Sequence, residues 1–232
     1  MPIVLGLDTA TAYTAVAVTR AGEVVDEQSA APGGEGRPRH AVDLLPLAER
    51  AAEAVGGWDA VERIAVGVGP GSFTGVRIGV ATARALAQTL DLEIVAVSSL
   101  AALGAGIAER AGERPALAAI DARRQEAFVS LSEGGRELWP PLLIDAPELG
   151  RRLAELDGAP LAAGDGALRF RHELETAGAE VPPDADPVHR LAARHVCWLG
   201  ERLEPARIDD VRPVYLREPD AERWRERDRG QD

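Results

Sequence analysis

The hydrophobic pattern opens in short runs and changes to helical spacing after residue 40. Pro2–Asp8 contains the run IVLGLD and predicts a buried strand that ends on a carboxylate. Tyr13–Thr19 and Gly22–Gln28 predict two more strands around the turn Arg20-Ala21-Gly22, so the first thirty residues read as an antiparallel meander. Pro32–Pro38 is a loop rich in Gly and Pro. Between Ala41 and Val55 the residues Ala41, Leu44, Leu45, Ala48, Ala51, Ala52 and Val55 recur at i, i+3, i+4 and predict a helix, with Asp43, Glu49, Arg50 and Glu53 off the stripe. Leu47 also lies off it and widens the apolar surface. Pro46 falls near the first turn, where proline is best tolerated, and Gly56-Gly57 ends the helix.

The next forty residues read as strand, turn, helix, strand. Ile64–Val68 is a short apolar run, and Gly69-Pro70-Gly71-Ser72 continues neither helix nor strand, so the chain turns there. Ser72 or Thr74 can cap a helix from Thr74 to Leu90. That helix carries Gly75, Gly79, Ala83 and Ala87 on one face. Glycine inside a helix costs roughly 1 kcal/mol against alanine, so the stripe implies that another backbone comes close. Residue pattern alone leaves two partners for it, another element of this chain or another chain. A strand over Glu93–Val97 and a helix capped by Ser98 or Ser99 and running through Ala108 follow, and Arg110–Pro115 reads as a hinge.

Beyond the hinge, Ala116–Asp121 and Ala127–Ser132 predict strands joined through ARRQE, and Gly134-Gly135 turns the chain. Helices are expected over Pro147–Leu156, Ala167–Gly178 and Asp186–Leu203, with a strand and turn over Leu161–Gly166 and a short extended segment at Val214–Leu216. From Glu218 onward nearly every residue is charged, and disorder is expected.

Composition narrows the function classes. A net charge of −12 argues against a protein that binds RNA unaided through a broad basic face. The single Cys197 forms no internal disulfide and reads as a small buried hydrophobe in a reducing, cytoplasmic setting. No apolar run is long enough to span a membrane. The four histidines, His40, His172, His189 and His195, show no metal-binding spacing, so no metal site is expected. GSFTG places its serine off the position that a nucleophile elbow requires.

GPGSFTGVRIGVATARALA followed by VAVSSLAAL resembles the TsaB family, the non-catalytic partners of TsaD in bacterial threonylcarbamoyladenosine synthesis on tRNA. LGLDTATAYTAVAV, RHAVDLLPLAE, AAIDARRQEAF, GDGA and PVYLRE follow in the family's order, so the resemblance covers nearly the whole chain. It implies an α/β, actin-like (ASKHA, ribonuclease H-like) fold with two related halves. Residues 1–109 would form the half that carries the partner-binding helices, 110–217 a smaller half, and 218–232 a charged tail. It further implies a scaffold without turnover of its own. TsaD would transfer the threonylcarbamoyl group to N6 of the adenosine next to the anticodon in tRNAs reading ANN codons, with TsaE completing the complex. A homodimer is expected where TsaD is absent.

The partner interface that the resemblance implies comprises His40, Leu44, Leu45, Ala48, Gly75, Gly79, Ala83 and Ala87, and it makes Gly69, Pro70, Gly71 and Ser72 a structural turn. No cofactor is expected to bind tightly, with ATP or ADP confined to a subunit boundary. The competing reading is an independent actin-like ATPase or small-molecule kinase. Asp8, Thr9, Gly164 and Asp165, by position a vestigial nucleotide site, would then be active.

Overall fold

The structure, a computed structural model, describes residues 2–217. Strands β1 (Ile3–Asp8), β2 (Thr14–Arg20) and β3 (Glu23–Ala30) form the expected meander, and β4 (Arg63–Gly67) and β5 (Glu93–Val97) extend it in parallel. The sheet order is β3-β2-β1-β4-β5. Its pleat divides the core in two. Leu5, Leu7, Val16, Val18, Ile64 and Val66 face α1 (His40–Ala54) and α2 (Phe73–Leu90). Val4, Ala15, Ala17, Ala65, Val95 and Val97 face the opposite side, which α7 (Ala193–Gly200) covers.

The second sheet repeats this plan with one strand fewer. β6 (Ala116–Asp121), β7 (Glu126–Glu133) and β8 (Arg136–Asp145) form a meander, β9 (Leu161–Ala163) pairs in parallel with β6, and the order is β8-β7-β6-β9. One face is covered by α4 (Ala146–Ala154), α5 (Asp165–Arg169) and α6 (Arg171–Thr176). The other meets α3 (Ser99–Ala111). This helix sends Leu100, Leu103 and Ile107 to the second sheet and Ala102 to the first, so it joins the two halves.

Several elements differ from the sequence reading for identifiable reasons. β8 was not expected, because Trp139-Pro140-Pro141 breaks any strand pattern; it is an edge strand, where a missing N–H is tolerated. The expected helix 167–178 is two short helices, broken at Phe170 (φ −105°, ψ 26°). The expected helix 186–203 holds only over Ala193–Gly200. Before it come a 3-10 turn at Pro187–His189 and an extended stretch in which Ala192 has φ −97° and ψ 127°. The expected second half is not contiguous either, since α7 and the segment after it return to the first sheet. In α1, Leu47 takes the core position and Leu45 points outward, the reverse of the predicted stripe. Pro46 lies in the second turn and not near the first, so the carbonyl of Val42 has no i+4 N–H. The expected tail lies outside the described residues.

Candidate functional site

The small-residue stripe on α2 packs against its own chain. The hydroxyl of Thr9, just past β1, donates to the carbonyl of Gly75 at 2.8 Å. A Cβ on Gly75 would stand 2.1 Å from the Thr9 carbonyl oxygen, and one on Gly79 would stand 2.4 Å from Thr9 Oγ1. Ala83 and Ala87 are fully buried in the same core. His40 is buried too, with Nδ1 at 2.8 Å from Thr14 Oγ1, which fixes the start of α1 against β2. Burial pulls its pKa below the ordinary histidine value.

This corrects the expected interface. Of its eight residues, His40, Leu44, Ala48, Gly75, Gly79, Ala83 and Ala87 are interior, and Leu45 alone is exposed. The close backbone approach that the glycines imply is made by the end of β1 crossing beneath α2. The outward faces of α1 and α2 carry a different apolar set. Val42, Leu45 and Phe73 are exposed at 60%, 54% and 50%, with Pro46, Ala81 and Ala85 also exposed and Ile78 half-buried. The i, i+3, i+4 recurrence of Ile78, Ala81 and Ala85 was the available signal for this second face.

Asp8 has been taken into the scaffold. Its Oδ1 accepts the Ala10 N–H at 2.7 Å, and its Oδ2 accepts the Ser99 hydroxyl at 2.5 Å. Ser99 Oγ in turn accepts the Gly69 N–H at 3.1 Å, and the Ser99 N–H donates to the Gly69 carbonyl at 2.8 Å. The carboxylate therefore ties the end of β1 to the turn after β4 and to the first residue of α3. It fills space that Gly67 leaves, where a Cβ would lie 1.7 Å from Oδ2. Burial pushes the Asp8 pKa up to about 6. The turn Gly69-Pro70-Gly71-Ser72 is held by the same knot: Ser72 N–H donates to the Ala10 carbonyl at 2.7 Å, and Ser72 Oγ caps α2 by accepting the Gly75 N–H at 3.3 Å.

Between the halves lies a cleft of about 490 Å3. Ala10, Thr11, Gly71 and Phe73 form one wall, and Asp121, Arg123, Phe128 and Asp165 form the other. Asp165 Oδ1 accepts the Asp121 N–H at 2.9 Å, and burial raises its pKa. Asp121 pairs with Arg169 at 3.0 Å and with Arg123 at 3.3 Å. The following turn is strained, with Arg123, Arg124 and Gln125 at φ 63°, 52° and 63°.

Of the four residues assigned to a nucleotide site, only Asp165 lines this cleft. Asp8 and Thr9 lie behind its wall, and Gly164 packs on the Ala119 carbonyl, 2.0 Å from where its Cβ would be. Tyr215 and Arg217, part of the PVYLRE motif but given no site role from sequence, also line the cleft. Among the described residues no group of three or more His, Cys, Asp or Glu side chains is placed to hold a metal ion.

Two sheets of matching order, each a meander followed by a parallel strand, facing each other across a cleft, define an actin-like, ribonuclease H-like protein. The family model described as "TsaD: tRNA N6-adenosine threonylcarbamoyltransferase" matches residues 23–140. The TsaB protein of Escherichia coli is 31% identical over 226 residues, covering 92% of this chain and 94% of that protein. The TsaB protein of Bacillus subtilis is 32% identical over 170 residues, covering 71% and 73%. The solved structure of YeaZ from Pseudomonas aeruginosa superposes with a TM-score of 0.76 at 27% identity, covering 93% of this chain and all of that one. The chain belongs to the TsaB family.

Proposed function

We propose that this chain acts in tRNA threonylcarbamoyladenosine biosynthesis as a non-catalytic subunit that binds TsaD. The observation that carries the reading is the end-to-end similarity to proteins named for that pathway. The docking surface is the outward ridge of α1 and α2, around Val42 and Leu45. Both are large apolar side chains left in water on a helix pair whose inner face is already satisfied. A TsaD-type fold is itself what the family model detects here, so a partner of that fold offers an equivalent helix pair and a near-symmetric contact. The same ridge would self-associate where TsaD is absent. TsaE, tRNA and any ATP or ADP at a subunit boundary belong to the assembled complex, in the cytoplasm. The knotting of Asp8 into the scaffold favours this reading over an independent ATPase or kinase, because the carboxylate a nucleotide's metal would need is spoken for by Ala10 and Ser99.

The test is tRNA threonylcarbamoylation reconstituted with TsaD, TsaE and a threonylcarbamoyl-adenylate synthase, with and without the chain. Product should depend on the chain, and the chain alone should yield none. The double variant Val42→Glu, Leu45→Glu should stay folded, lose TsaD binding and lose the reaction. Full product without the chain would reject the role, and intact TsaD binding by the double variant would reject the surface.

A further inference from the structure

The chain does not end its structural work with α7. Past that helix it runs along the edge of β5, where the Ala206 N–H donates to the Ile94 carbonyl at 2.9 Å. Arg84 of α2 pairs with Asp209 at 2.7 Å, and Val211 is fully buried in the core below α2. The Val214 N–H then donates to the Val68 carbonyl at 2.8 Å, at the turn that launches α2. A Cβ on Gly69 would lie 3.1 Å from the Val214 carbonyl, so a glycine there admits the strap. The Tyr215 hydroxyl accepts Arg77 Nε–H at 2.8 Å, its ring lies 5.2 Å from that of Phe73, and the Arg77 guanidinium stacks 3.7 Å over Phe73.

Every anchor to this point belongs to the first half. The next two residues cross the cleft. Leu216 packs on the cluster containing Ile120 and Phe128. The Arg217 guanidinium donates to the Ala122 carbonyl at 2.7 Å and pairs with the Glu126 carboxylate, both at the β6–β7 turn. Arg217 and Glu126 side chains are only 18% and 27% exposed, so this pair is better shielded than an ordinary surface ion pair. The halves are also joined through α3, whose Arg110 pairs with Asp186 beside a separate groove that shares no lining residue with the cleft. The chain also crosses back to the first half on that side, between α6 and α7, so α3 and this crossing form the hinge and Arg217, across the cleft from them, opposes opening about it.

We propose that residues 211–217 are an intramolecular latch: the chain's own strap, anchored on α2 by Val214 and Tyr215 and on the β6–β7 turn by Arg217, holds the two halves closed across the cleft. Closure is then a property of this chain by itself, and the Arg217 contact is the point at which it opens.

The test is a distance measurement across the cleft by pulsed electron spin resonance on the full chain. Spin labels go on cysteines introduced at Thr74 and Gln125, both exposed, while the buried Cys197 stays unlabelled. The parent should give a narrow distribution. Arg217→Ala should give a longer and broader one at a temperature well below its melting transition. Arg217→Lys retains the charge but not the two-point contact, and is read if the alanine variant unfolds; it should shift the same way by less. Amide exchange at Val214 should quicken about tenfold in the alanine variant, the scale of one lost charge-assisted hydrogen bond, with β1 amides unchanged. An unchanged distance distribution in the folded variants overturns the latch. So does exchange that quickens equally at Val214 and in β1, because the strap would then open only with the whole fold.

Discussion

Replacing Gly75 by alanine separates an internal stripe from an external one by the sign of the effect. In an exposed helix position the change should stabilise by roughly 1 kcal/mol, because alanine is the better helix former. In this fold the new Cβ would stand 2.1 Å from the Thr9 carbonyl oxygen and 3.2 Å from His40 Nε2. The first of these is backbone, held by β1, so α2 must retreat by about 1 Å to restore ordinary contact. Overpacking of this kind costs about 3 kcal/mol at the upper end of its range. The retreat also stretches the Thr9 hydroxyl bond to the Gly75 carbonyl, worth about 1 kcal/mol. With the propensity gain subtracted, the net loss is about 3 kcal/mol. In a chain of this length that lowers the melting temperature by about 6–12 °C. Gly150 in α4 is the control, since nothing lies within 4 Å of its Cβ position. Gly150→Ala should raise the melting temperature by about 2–4 °C. Circular dichroism melts of the isolated chain decide the matter. A melting temperature for Gly75→Ala equal to or above the parent would refute the internal packing and return the stripe to a partner.

Other outcomes follow from buried groups. Asp8 has its pKa raised from 3.8 to about 6, so its contribution to stability is complete below pH 3.8 and is lost as pH rises through about 6. Asp8→Asn removes that loss; relative to the parent, the variant should gain about 2 kcal/mol between pH 4 and pH 7 in urea titrations, and a flat difference would contradict the burial argument. His195 has its pKa lowered by burial, partly opposed by Glu109, whose carboxylate lies 3.6 Å from Nδ1. Its neutral form is the one the fold holds, so it contributes to stability above pH 6.5 and loses that as pH falls. His195→Gln should therefore lose less stability than the parent between pH 7 and pH 5, and equal losses would count against it. Burial pushes the Cys197 thiol up to about 12, so Ellman's reagent should react only on unfolding; rapid reaction of the native chain would show that α7 does not cover the first sheet as described.

What could be read from the sequence is what local chemistry dictates. The edges of β5 and β6 coincide with the apolar runs because charged residues, Ser and Pro bracket them. Ser72 and Ser98 cap their helices as their positions suggest. What could not be read depends on who packs against whom. In α1, Leu44, Leu45, Leu47 and Ala48 fit two stripes about equally, and only the position of β2 and α2 decides that Leu47 goes in and Leu45 goes out. The helical spacing within Asp186–Leu203 was real, but Arg190–Ala192 must run extended to bring α7 back across the first sheet.

Asp8 shows the same limit in chemical terms. A carboxylate at a strand end beside a glycine-rich turn has one sequence signature whether it faces a ligand or its own backbone. The difference lies in Ser99, ninety-one residues away, whose hydroxyl reaches Oδ2 from one side while its oxygen takes the Gly69 N–H from the other. Once both carboxylate oxygens are satisfied internally, turning Asp8 toward the cleft would leave the Ala10 N–H and the Ser99 hydroxyl buried without partners. Each such group costs about 1–3 kcal/mol, on top of the space that Gly67 would leave empty. The fold therefore commits this strand-end carboxylate to the joint between β1, the turn and α3. The cleft's remaining polar wall, Asp121, Arg123 and Asp165, belongs to the second half, which meets the first through α3, through the crossing from α6 to α7 and through the strap at Arg217.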